Sequence, residues 1–80
     1  MKTLKQANAI KTLLTDFSSA VKISKVESIK VSKRLMGEYG IEITPSTQTN
    51  VEWLADTLNE DISKFAPLVA FLYDNKIIIL

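Results

Sequence analysis

Ser24-Lys25-Val26-Glu27-Ser28-Ile29-Lys30-Val31-Ser32-Lys33-Arg34-Leu35-Met36-Gly37-Glu38-Tyr39-Gly40 forms the middle of the chain, and its reading sets the fold. Ser24 followed three residues later by Glu27 has the spacing of a capping box, in which two side chains satisfy free N–H groups of a first helical turn. Val26, Ile29, Met36 and Tyr39 then fall on one helical face, with Leu35 at its edge. Lys30, Arg34, Glu27 and Glu38 fall on the other, spaced for local ion pairs. Gly40 comes next as a stop, because glycine accepts the left-handed conformation that ends many helices. The stretch therefore predicts a helix from Ser24 to about Tyr39.

Working outward toward the N-terminus, Leu4, Ala7, Ile10, Leu13, Leu14, Phe17 and Val21 recur at three- and four-residue steps. Lys5, Asn8, Thr12, Asp16 and Ser19 occupy the opposite side. That pattern predicts an amphipathic helix over 3–21. Toward the C-terminus, Ile41-Glu42-Ile43-Thr44 alternates apolar and polar and suits a short strand. Pro45 and the small polar residues 46–50 separate it from a further helix. Thr49 with Glu52 makes a second capping-box spacing, and Val51, Leu54, Ala55 and Leu58 form a buried stripe.

Asp61 reads as the cap of a last helical segment, with a break near Ala66 because Pro67 removes a helix hydrogen bond. Leu68, Val69, Phe71 and Leu72 read as a short buried helix after it. Asp74-Asn75 is a turn, and Lys76 to Leu80 is β-prone. The expected fold is therefore mainly α, with a minor β component. It is a compact bundle of about four short helices in one domain spanning 1–80, with a possible two-stranded sheet pairing 41–44 with 76–80.

Composition narrows the function. With 46% hydrophobic residues and only two Gly and two Pro, the 80-residue chain has a globular profile. The absence of His and Cys removes the commonest general base, the thiol nucleophile and the usual zinc ligands. Gly37 and Gly40 do not form a phosphate-cradling loop. The reading is non-enzymatic, with no cofactor, no metal and no catalytic residue. A row of carboxylates at Glu52, Asp56 and Glu60 suits a contact surface better than a hard-cation site, which usually draws oxygens from a loop or several elements. The N-terminus has no apolar run of a signal peptide, and the apolar stretch 67–80 is interrupted by Asp74, Asn75 and Lys76. These features, with the lack of cysteine, predict a cytoplasmic protein without membrane attachment.

Charge is divided along the chain. Residues 1–40 hold eight Lys and Arg against three acids, whereas residues 41–80 hold two Lys against six acids. This division gives two candidate surfaces. On a helical wheel Trp53, the only Trp, points away from Val51 and lies among Glu52, Asp56 and Glu60. An exposed Trp inside an acidic rim suits a basic protein partner, since aromatic anchors carry binding energy and charge steers encounter. The expected function is regulation or inhibition through a protein–protein contact, with a homodimer also possible. The alternative is a helix–turn–helix-like DNA-binding regulator using Lys22, Lys25, Lys30, Lys33 and Arg34. Against it stand the carboxylates on the helix that would enter the groove and the single Arg of the chain.

Overall fold

The computed structural model describes residues 3–34, 37–65 and 68–80. Thr3 opens the first helix with a capping box, its side chain accepting from the Gln6 N–H while the Gln6 side chain accepts from the Thr3 N–H. Helix α1 (Leu4–Phe17) ends one turn earlier than the apolar periodicity implies, because Ser18 is extended rather than helical. Ser18 N–H closes α1 on the Leu14 carbonyl, and Ser18 Oγ accepts from Val21 N–H to start α2 (Ser19–Ser24). The same hydroxyl donates to Asp61 Oδ2 at 2.7 Å. One buried serine thus ends a helix, caps the next and ties both to the second half of the chain.

Lys25, in the left-handed conformation at φ 52°, terminates α2. The segment after it is extended, not helical. Ser28–Lys33 is strand β1 and Tyr39–Thr44 is strand β2, paired antiparallel from Ser28 opposite Thr44 to Lys33 opposite Tyr39. Ile29 packs on the core opposite Ile43, Val31 shares its face opposite Ile41, and Lys30 and Ser32 are on the other face. The period of this segment is two, so the expected helix over 24–39 is overturned. Gly40 is a strand residue and not a helix stop. Its role is steric, since a Cβ there would lie 2.6 Å from Leu80 Cδ2 and 3.0 Å from the Ile79 carbonyl oxygen.

Helix α3 (Val51–Ile62) begins one residue later than Thr49 would place it. Its cap is Asn50, whose side chain accepts from Trp53 N–H at 3.0 Å, while the Thr49 hydroxyl is turned to the Ser24 carbonyl. Asp61 is inside α3 and not a cap. A 3₁₀ turn (Ser63–Phe65) extends it, and the break expected near Ala66 lies outside the described residues. Ala70–Tyr73, expected as helix, is strand β3, and Lys76–Ile79 is strand β4. Asp74 and Asn75 join them with positive φ at both residues, 52° and 62°, which gives the twist a two-residue hairpin needs.

The sheet has four strands in the order β1-β2-β4-β3, all antiparallel. The expected pairing of 41–44 with 76–80 is present, as Ile41 opposite Ile79 and Ile43 opposite Ile77, but it is the central seam of a larger sheet. The fold is therefore α+β with three helices, not a mainly α four-helix bundle. The chain runs twice through helix then hairpin, with α1 packed on β1 and β2, and α3 on β3 and β4. Leu14, Val21, Leu54, Leu58 and Ile62 meet Ile41, Ile43, Ile77 and Ile79 between the layers. Ile78 is also buried but does not belong to that core cluster, because its parity turns it to the opposite face.

Candidate functional site

Two surfaces collect the side chains that chemistry can use. The first is the outer side of the helix layer. Glu52, Trp53, Asp56 and Glu60 are all exposed on α3, and Trp53 retains 45% of its accessible surface. Its backbone is fixed by the Asn50 cap, and the Trp53 carbonyl accepts from the Thr57 hydroxyl at 2.8 Å. Beside it lies an open groove of about 510 Å³ between the end of α2 and the start of α3, flanked by Ile23 and Lys25. Ile23 is 71% exposed, so two large apolar side chains face solvent across one groove. The groove floor is held by hydroxyls: those of Ser46 and Thr49 bond each other, and whichever accepts in that bond donates to the Ser24 carbonyl, 3.3 Å from each. Ser24 also lines the groove, and its Oγ is buried with no hydrogen-bond partner among the described residues.

Glu60 lies farther along α3, at the rim of a second hollow that Phe17, Lys64 and Phe65 also line. Phe17 is 76% exposed. The outer face of α3 thus runs from the Trp53 groove to the Phe17 hollow, with carboxylates at successive turns between them. No group of three His, Cys, Asp or Glu among the described residues is placed to hold a metal ion.

The second surface is the face of the sheet turned away from the helices. Strand alternation puts Lys30, Glu42, Lys76, Ile78, Phe71 and Tyr73 on it. Glu42 is its charge centre. Lys76 Nζ donates to Glu42 Oε1 at 2.7 Å, and Lys30 Nζ and Arg34 Nη2 each stand 4.0 Å from Oε2. The Lys76 hydrogen bond holds the Glu42 carboxyl below its ordinary value of 4.5 against the opposing effect of burial, and Lys30 and Arg34 add to the lowering. Glu42 in turn raises Lys76, first through the hydrogen bond and then through its charge. Arg34 Nε and Nη2 and Ser32 Oγ are buried and have no hydrogen-bond partner among the described residues.

The five basic residues expected to form one nucleic-acid surface are separated. Lys22 is on α2 and Lys25 borders the Trp53 groove. Lys30 and Arg34 lie on the open sheet face, and Lys33 is on the opposite pleat of β1. A helix–turn–helix is ruled out in this region, since β1 and β2 occupy it and residues 46–50 are a turn leading into a cap. Glu52, Trp53, Asp56 and Glu60 share one helix, α3. Lys76, Glu42, Phe71 and Tyr73 belong to neither surface expected from sequence. The available signal is the period-two alternation in Ser28 to Lys33, together with the positive-φ tolerance of Asp74-Asn75.

Comparison with protein-family models, curated proteins and solved structures gives no match to this chain. Among the described residues no helix is long and apolar enough to cross a membrane.

Proposed function

We propose that the chain is a small non-enzymatic regulatory or inhibitory module that binds a protein partner through the outer face of α3. The observation that carries this reading is Trp53, 45% exposed beside the 71% exposed Ile23, with Glu52 and Asp56 exposed on the same helix. Fixed aromatic side chains at the centre of a contact supply much of its binding energy, while charges at the rim set encounter rate and exclude wrong partners. The carboxylates favour a segment that presents basic residues around an apolar side chain small enough to enter the groove. The hydroxyl-braced connection 46–49 keeps the groove walls in place before binding, which lowers the ordering cost of association.

Trp53 is the only Trp, so its own emission reports the contact. Partner captured from lysate on the tagged protein shifts that emission to shorter wavelength on titration, and Trp53→Ala abolishes capture while leaving the melting transition in place. Capture that is indifferent to Trp53→Ala removes this face from consideration. Concentration-dependent emission from the protein alone identifies the occupant as a second copy.

A further inference from the structure

We infer that the open face of the sheet is a second, independent binding surface, for single-stranded nucleic acid. It combines two features on the side of the sheet turned away from the helices, flanking the buried Ile78. Phe71 and Tyr73 stand at alternate positions of β3, so both rings project from the same face, roughly 6.6 Å apart at their backbones. They are 39% and 66% exposed. Across the sheet, Lys30, Arg34 and Lys76 surround the carboxylate of Glu42. Asp74 also acts on Lys76 by its charge, so three cations face two carboxylates and the cluster keeps a net positive charge of one. The Lys30 and Lys76 side chains are 60% and 41% exposed and supply the accessible cations, while Arg34 Nε and Nη2 are buried and add charge without direct contact.

The two features meet, because Lys76 is the direct cross-strand neighbour of Tyr73. A chain of unpaired nucleotides needs this combination: ring faces on which bases stack, and cations within reach of the phosphates. A duplex offers no free base faces to the rings. A basic protein segment would meet the surplus cations at a cost. The occupant is therefore an anionic polymer with planar groups, and its contacts lie on the face opposite to the Trp53 groove. The two proposals stand or fall separately.

The test is fluorescence anisotropy of labelled short oligo-dT and oligo-U, titrated with the full chain across a salt series, with anionic phospholipid vesicles as a parallel arm. Binding is expected with a dissociation constant in the range of about 1–100 μM, with log K falling against log salt at a slope near −1.4 to −2, as expected for about two to three phosphate contacts on a single strand. Tyr73→Ala, at a solvent-facing position, is expected to weaken binding roughly 5- to 150-fold. Lys30→Gln is expected to make the slope shallower by about 0.7. Trp53→Ala is expected to change neither. The inference is overturned by absence of oligonucleotide binding, by binding to vesicles alone, by an affinity unchanged in Tyr73→Ala, or by an affinity lost in Trp53→Ala.

Discussion

Replacing Asn59 by Ala tests how this sheet protects its edge. β3 is the last strand of the order β1-β2-β4-β3, so one side of its backbone has no strand beside it. Val69 and Leu80 exchange both backbone hydrogen bonds at 3.1 Å, which turns the N–H and C=O of Ala70 the other way, toward the edge. There the α3 side chain of Asn59 takes the place of a neighbouring strand: its Nδ2 donates to the Ala70 carbonyl and its Oδ1 accepts from the Ala70 N–H, both at 2.8 Å. Two net hydrogen bonds are worth roughly 1–3 kcal/mol. Ala70 is only 4% exposed, so its orphaned groups are poorly served by water and the loss belongs near the upper end, about 3 kcal/mol. For a domain of this size that corresponds to a fall in Tm of roughly 12–24 °C. Chemical denaturation followed by Trp53 emission measures the stability, and amide exchange at Ala70 locates the effect. A loss under about 0.5 kcal/mol, the scale of an ordinary surface substitution, or an Ala70 amide as protected as before, would refute the role of Asn59 as an edge cap.

Ser18→Ala removes a cap and a bond to Asp61 from a buried position, and thermal melts should show a loss of about 1–3 kcal/mol. Asn75→Val places a β-branched residue at φ 62°, and a loss of about 1–2 kcal/mol is expected by urea titration, with the hairpin the first region to exchange its amides. Because Glu42 binds a proton less readily folded than unfolded, its contribution is fully present above pH 4.5 and is lost as pH falls through its lowered folded value. Lys76 behaves oppositely, contributing below its ordinary 10.5 and losing that contribution as pH rises through its raised folded value. Stability profiles of the native chain and Glu42→Gln should accordingly converge at acid pH and separate on the plateau between these limits. Parallel profiles throughout would mean that the Glu42 cluster does not contribute to folding.

The elements legible in the sequence are those whose pattern has one interpretation. The Ala7 to Leu14 part of the α1 stripe, the stripe Val51 to Leu58 of α3, the alternation of Ile41 to Thr44, the Asp74-Asn75 turn and the β-prone Lys76 to Ile79 appear in the structure, whereas Leu4 and Phe17 are exposed and Val21 belongs to α2. β1 and β3 are hidden for identifiable reasons. Val26 and Ile29 both pack on the core, but Val26 does so from the connection before β1, and their three-residue spacing imitates a helix. In β3, Ala70 packs in the core while Phe71 and Tyr73 lie on the open face. A strand apolar on both sides carries no alternation, and runs of that length are ambiguous between helix and strand. The candidate sites divide in the same way. Exposure of Trp53 results from its angle on a single helix, whereas the cluster of Lys30, Glu42 and Lys76 depends on the register of three strands, which local pattern does not encode.

The seam between β2 and β4 also governs how this chain is held together. Each helix–hairpin unit presents its central strand to the other, and an isolated two-stranded hairpin is marginal in water at best. Ile41 and Ile43 complete their pairing only with Ile79 and Ile77, far along the chain, so closing the loop between them must precede any reward from the shared core. Melting one unit strips the other of its central pairing, and the Ser18–Asp61 tie, which joins the same two units on the helix side, lets go with it.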